Sequence, residues 1–366
     1  MKAVGIILAG GGSDRMKGLT DIRAVAAMPV AGAYRAVDFA LSNMANSRIN
    51  TVAVLTQYSS RSLNEHLSAP SWWGFGRKQG GLYLLNPTIT PESANWFLGT
   101  ADALIQNLDF IKERHEPYVV IASGDGVYKL DFDDVMAKHV ESGAQITVVC
   151  REKGEEEAET ERFGLVETDA EGRITAWHEK EEGAAGKYIN CGIYLIRRLR
   201  LIRLLEDCKR RGETDFVLGV LKKNLETERI KTYVMDGYWK NIASVQSYFE
   251  CNMDMLNPAL RKRFFYDYPT ISTKVDDFPP AKFNDNAKVK NSLTAGGTIV
   301  NGSVENSVLF KKVFVGDGSR IKNCVLLNDV YIDDGVTLEN CIVEKKVKIE
   351  AGTTVIGDPN DVTVLS

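Results

Sequence analysis

The sequence has no apolar run approaching the roughly eighteen residues that a membrane-spanning helix needs. It passes from Met1-Lys2 directly into a strand-like segment, without the charged and apolar stretches of an export leader. These absences predict a cytoplasmic protein with no membrane attachment. Lysine and arginine form no basic block and the net charge is −4, which argues against a nucleic-acid surface. Cys150, Cys191, Cys208, Cys251, Cys324 and Cys341 show no CxxC spacing, so neither a zinc site nor a disulfide framework is expected, only buried reduced thiols. What is present is ample apolar material: 44% of 366 residues is enough for two domains with real cores.

The first two thirds alternate strand-like and helix-like segments. Val4 to Leu8, Thr51 to Thr56, Tyr118 to Ser123, Ala144 to Cys150 and Tyr188 to Ile196 are short apolar runs. Ala101 to Arg114, Asp133 to Ser142, Arg198 to Arg211 and Val245 to Leu256 have helical spacing. Such alternation predicts an α/β, Rossmann-like domain with a mainly parallel sheet covered on both faces. Ligands bind such sheets at the carboxyl ends of the strands, so Gly10 to Arg15, Gln57 and Ser123-Gly124-Asp125 are expected in one crevice. Gly10-Gly11-Gly12-Ser13-Asp14-Arg15 reads as a loop whose backbone can approach a phosphate, with Arg15 as its forked cation; a plain turn is the other reading. Trp72 to Arg77 with Gly80-Gly81 reads either as a surface loop with tucked aromatics or as a lid over the crevice.

The last third changes character. Segments starting at Val315, Ile332 and Ile349 stand 17 residues apart, and Asn323-Cys324-Val325 and Asn340-Cys341-Ile342 repeat on the same step. Three hexapeptides per coil predict a left-handed parallel β-helix, with Cys324 stacked over Cys341 and asparagine in a left-handed corner. The expected division is therefore an α/β domain over 1–257, an irregular linker over 258–286 and the β-helix over 287–366. Exposed solenoid edges make the last of these a candidate oligomerisation platform. The linker's Phe264-Phe265-Tyr266 and Tyr268 need something to pack against.

Arg15, Arg23, Pro29, Tyr34 to Phe39, Leu41-Ser42-Asn43 and Asn46-Ser47 closely resemble the N-terminal signature of the sugar-phosphate nucleotidyltransferases. Within them the chain looks most like bacterial glucose-1-phosphate adenylyltransferase, and the resemblance runs over both domains. It implies attack of glucose 1-phosphate on the α-phosphorus of ATP, with Mg2+ neutralising the phosphates. It further implies nucleotide contacts from Gly10, Gly11, Gly12, Gln57, Gly99 and Thr100, and sugar-phosphate contacts from Gly164, Glu179, Lys180 and Asn190. Arg15 and Asp125 would be catalytic, with Asp125 the first of the metal-binding pair. A turn residue is the alternative for Asp125, and a helix cap the additional one for Thr100.

The departures point the other way. Where the family has a glycine, a lysine and the second metal aspartate, this chain has Ser13, Val25 and Asn241. Gly126 replaces a histidine, Asn190 a serine and Glu181 a proline, and Asp215-Phe216-Val217 loses the family's glycine after Phe216. This pattern resembles the GlgD-type subunit, which implies a poorly active or silent chain that modulates a catalytic adenylyltransferase in glycogen synthesis. The implied partner is that catalytic subunit in a mixed tetramer, or further copies of this chain. The implied ligands are ATP, glucose 1-phosphate or an anionic effector, with Mg2+ binding weakened or lost. An active adenylyltransferase with an altered metal site is the alternative.

Overall fold

A computed structural model describes residues 2–76, 80–89, 95–154 and 162–366. The chain forms two compact units, one of Met1–Gly10, Ala40–Gln57 and Trp73–Trp239, the other of Gly11–Phe39, Tyr58–Trp72 and Lys240–Ser366. These units cut across the sequence division expected above, because the β-helix shares its unit with two segments from the first 72 residues.

The first unit is built on β1 (Ala3–Leu8), β2 (Thr51–Leu55), β3 (Gly81–Leu85), β4 (Tyr118–Ser123), β5 (Ile146–Glu152), β6 (Gly164–Thr168), β7 (Ile174–Glu179), β8 (Tyr188–Arg197) and β9 (Ile230–Val234). They pair in the order β7-β6-β8-β4-β1-β2-β3, with β5 also beside β8 and β9 beside β5. β3, β2, β1 and β4 run parallel, whereas β8 enters antiparallel to β4. Val4 and Ile6 face the same core as Val119, Ile121, Val148 and Tyr194, while the alternate residues Ile7, Val54, Val120 and Ala122 are equally buried. Both faces are therefore covered, which is why these strands read as continuous apolar runs rather than as alternations.

Among the helices are α1 (Ala36–Asn46), α2 (Arg61–Leu67), α3 (Thr100–Gln106), α4 (Leu108–Lys112), α5 (Phe132–Glu141), α6 (Arg198–Arg210), α7 (Val245–Asp254) and α8 (Pro258–Phe265). The single helix expected over 101–114 is broken at Asn107, whose backbone leaves the helical region and whose side chain donates to Ala103 O at 2.9 Å. A second difference lies at α8, where an irregular linker was expected. Pro258 occupies its first turn and the Asn257 side chain caps it, accepting from Ala259 N at 2.9 Å.

His139 near the end of α5 is almost fully buried, and its Nδ1 lies 2.7 Å from Thr147 Oγ1. Burial, assisted by the nearby Arg197 charge, lowers its pKa from 6.5 to about 4. The unfolded chain therefore takes up this proton as pH falls below about 6.5 while the folded chain does not, so stability present at neutral pH is lost through that window. Between pH 7 and about pH 5 the loss should be about 1–2 kcal/mol after allowance for solvent at the site. Urea unfolding of the protein and of His139→Gln at both pH values checks this: the variant should lack that part of the pH dependence.

In the second unit, Arg320, Thr337 and Thr354 stack in parallel register on the 17-residue step, and Cys324 lies over Cys341. Val304, Ile321, Leu338, Val315 and Ile332 fill the solenoid. Asn291, Asn306, Asn323 and Asn340 all have φ between 43° and 53°, the left-handed corner that asparagine tolerates. Their amides form a ladder, Asn291 donating to Asn306 at 2.8 Å and Asn323 to Asn340 at 3.2 Å. This is the left-handed parallel β-helix expected from the repeat.

The same unit carries part of the N-terminal signature. Arg23 and Glu344 form a buried, two-pronged ion pair at 2.5 and 3.3 Å across 321 residues of sequence. Asp38 is wholly buried, accepting from Arg35 N at 2.8 Å and Thr273 Oγ1 at 2.6 Å and contacting His66 Nε2 at 2.7 Å. Two linker aromatics are accounted for: Phe264 is buried edge-on to Phe39, and Phe265 stacks on Tyr34 at 4.3 Å. Tyr266 and Tyr268 remain exposed.

Candidate functional site

The residues expected to carry chemistry fall into two groups, one in each unit. In the first unit the sheet register sets Leu8 beside both Leu55 and Ser123, so Gly10, Gln57 and Asp125 follow the carboxyl ends of three adjacent parallel strands. Gln57 is engaged at both ends: its Oε1 accepts from Phe97 N at 2.5 Å and its Nε2 donates to Phe97 O at 3.1 Å. It pins the segment before α3 as a backbone strand would.

Gly99 is at the N-cap of α3, and Thr100 is the first helical residue rather than the cap. A Cβ on Gly99 would lie 2.5 Å from Thr214 O, which accepts from Ala101 N at 2.7 Å. Thr100 Oγ1 accepts from Phe216 N at 2.8 Å. The close backbone approach at Gly99 is thus made to this chain's own residue 214, which joins α3 to the Asp215-Phe216 turn.

Asp125 Oδ1 accepts from Ser123 Oγ at 2.5 Å. The next residue has little room: a Cβ on Gly126 would meet the Tyr128 ring at 3.2 Å and Trp239 Nε1 at 3.6 Å. The space that a histidine would need there is taken by two aromatic side chains.

Gly164, Glu179 and Asn190 come together on β6, β7 and β8. A Cβ on Gly164 would lie 2.5 Å from Glu179 Oε2 and 2.9 Å from Trp177 Nε1. Trp177 Nε1 donates to that same Oε2 at 3.1 Å, and burial pushes the Glu179 pKa up despite this bond. Lys180 is exposed, has φ 54° and places Nζ 3.8 Å from Glu179 Oε1. Asn190 is committed to its own strand, with Nδ2 donating to Tyr194 Oη at 2.9 Å and Oδ1 accepting from Gly192 N at 2.9 Å. Glu181 turns outward to Lys222 at 3.0 Å and His178 at 3.1 Å. Trp177 and Tyr194 are site-forming residues that the sequence reading missed. A bulky apolar side chain on an alternating strand gives no sign of which polar group its N–H or O–H will hold.

In the second unit the glycine loop leads into tight turns over Asp14–Thr20. Gly11 and Gly12 are exposed, as is Arg15, and a Cβ on Gly12 would press on the Tyr58 ring at 3.1 Å. Three of the departures noted above surround this loop. Ser13 Oγ donates to Ala243 O at 2.7 Å, and Val25 N donates to Gly11 O at 3.4 Å. Asn241 Oδ1 accepts from Ala243 N at 3.0 Å. Val25 is 4% exposed, a packed apolar side chain where a cation was expected. Lys240 lies between Glu250 at 2.9 Å and Asp254 at 3.1 Å, so its charge is matched within α7. Of the expected group Arg15 alone brings a positive side chain to the loop. Arg77, at the end of the expected aromatic loop, lies outside the described residues, whereas Trp73 and Phe75 are buried and Trp72 exposed.

Comparison with known proteins agrees with this layout. Residues 4–258 match the family described as nucleotidyl transferase, and residues 279–362 match that described as GlmU-like, C-terminal hexapeptide. The chain is 38% identical over 322 residues to a glucose-1-phosphate adenylyltransferase of Thermosipho africanus, covering 87% of this chain and 77% of that protein. A glucose-1-phosphate adenylyltransferase of Clostridium perfringens is 38% identical over 324 residues, 87% of this chain and 81% of the relative. One of Thermotoga neapolitana is 36% identical over 323 residues, 87% and 76% of the two chains. With most of its length matched at this level, the chain belongs to the nucleotidyl transferase family, among the homologues of glucose-1-phosphate adenylyltransferase.

Proposed function

We propose that this chain is a regulatory, catalytically impaired subunit that associates with a catalytic glucose-1-phosphate adenylyltransferase and modulates its formation of ADP-glucose and pyrophosphate. One observation carries the reading: the glycine loop is flanked by a buried Val25 and by an uncharged Asn241. A polyphosphate beside it would lack both a lysine and a second carboxylate-held metal charge.

Members of the family generally use Mg2+. A hard dication is held by oxygen ligands with enough negative charge among them. Of the pair that the resemblance implies, Asp125 is a carboxylate with one oxygen already accepting from Ser123, and position 241 carries a neutral amide. Among the described residues no group of three or more metal-binding side chains gathers. The residues present do not fit the family's metal pair.

The unused fold supports a regulatory role. Gly164, Glu179 and Trp177 stay packed together on the sheet, which supports retained binding of glucose 1-phosphate or a related anion without turnover. That same retention favours the second reading, an active adenylyltransferase with an altered metal site. When the purified chain is mixed with a catalytic adenylyltransferase, activator response should shift severalfold and the two should co-elute, because a bound subunit biases its partner's states through differential contacts. An unchanged activation curve and separate elution would refute the regulatory reading. Deleting 287–366 should abolish both effects if the β-helix is the platform.

A further inference from the structure

At the amino end of the sheet in the first unit lies a cavity of about 270 Å3, lined by His139, Gly143, Gln145, Arg197 and Arg200 among others. Its residues come from the end of α5, the turn into β5 and the start of α6. None of the candidate site residues described above lines it. Tyr118, at the amino end of β4, pairs with Arg197, whereas Asp125 lies beyond the other end of that strand. The five residue steps of that strand alone separate its ends by about 17 Å.

Val140, Gly143 and Ala144 are apolar parts of the lining, and its polar side chains carry donors. His139 is 2% exposed, and its Nε2 has no hydrogen-bond partner although Nδ1 is held by Thr147. A buried polar nitrogen left in this way is unfavourable until an acceptor meets it. Gln145 Oε1 accepts from Arg229 N at 2.7 Å, which leaves the amide Nε2 as a donor. Arg200 is matched by Glu228 at 2.6 and 2.8 Å. Arg197, 5.7 Å over the Tyr118 ring, makes no ion pair among the described residues. α6 is 13 residues long and begins beside these groups; its cap residue makes no side-chain capping bond, while Arg198 N donates to Pro117 O at 2.8 Å. No carboxylate lines the cavity.

We propose that this cavity binds a small oxyanion, a phosphoryl or carboxylate group, between Arg197, the Gln145 amide and His139 Nε2 at the start of α6. A cation or a purely apolar ligand would leave the donors unmatched. The imidazole is neutral at pH 7. The binding mode requires the tautomer in which Thr147 donates to Nδ1, 2.7 Å away, and the ring proton sits on Nε2. The anion would relieve the one unpartnered buried nitrogen of α5 and cap α6 in the same step.

The test titrates the full chain with inorganic phosphate, and separately with malonate, at ionic strength held constant by sodium chloride. It follows the His139 ring nitrogens by NMR, so that anions bound at the glycine loop do not contribute. A saturable shift of Nε2 with either anion is expected, and the one that saturates identifies the ligand class. Arg197→Gln, an exposed position whose change leaves folding intact, should weaken that binding by about tenfold or more. A Nε2 response to neither anion, a response equalled by chloride, or equal affinity in Arg197→Gln would each overturn the proposal.

Discussion

A variant carrying both Val25→Lys and Asn241→Asp should form ADP-glucose in a magnesium-dependent reaction at least about a hundredfold faster than the unaltered chain. The two positions approach one loop within one unit, Val25 through Gly11 and Asn241 through the Ala243 turn that holds Ser13. Asn241→Asp keeps the acceptor for Ala243 N and adds the missing charge, so it should fold normally. Val25→Lys replaces a packed side chain and should cost about 1–3 kcal/mol of stability until a phosphate meets the ammonium. Because metal and cation act on the same polyphosphate, the double change should exceed the product of the single ones. Adding Ser13→Gly frees the loop from Ala243 and should increase the gain. Folded double and triple variants with no gain would mean that the loss of activity rests on residues beyond these.

Glu344→Ala should lower stability by about 3–5 kcal/mol, the second large effect. Glu344 and Arg23 are both nearly enclosed, and Glu344 also accepts from Lys345 N at 2.5 Å. Removing the carboxylate leaves a guanidinium buried without its counter-charge, which costs far more than the pair's net worth. The control is Arg23→Met with Glu344→Leu, whose loss should be much smaller because no charge is stranded. Urea midpoints of both variants check this, and a loss below about 1 kcal/mol in Glu344→Ala would show that water reaches the site.

The Arg23 and Glu344 pair also shows where the sequence stops being legible. The β-helix was readable because its apolar residues and asparagines recur on a fixed step, and each coil needs only its neighbours. The strands β1, β2, β4 and β8 were readable because both faces are buried, leaving uninterrupted apolar runs. Nothing local marks Arg23 as a residue that meets a glutamate 321 positions away, so the grouping of 11–39 with the solenoid was not visible.

Other differences were written in the sequence and outweighed. Asn257-Pro258 is a capping residue followed by a proline suited to the first turn, yet the later prolines and aspartates suggested a linker. Around the site, residue types were legible but their commitments were not. Gln57 has both ends of its amide on Phe97, and Asn190 on Tyr194 and Gly192, contacts that only the folded strands create.

The central claim is that the chain does not turn over alone. The direct measurement is pyrophosphate release by the purified, unaltered protein with ATP, glucose 1-phosphate and Mg2+, free of any catalytic subunit. Several kcal/mol of lost transition-state stabilisation predict a rate slower by several orders of magnitude than a catalytic relative assayed alongside. A rate near that of the relative would contradict the account, and would mean that the reaction proceeds without a carboxylate at position 241.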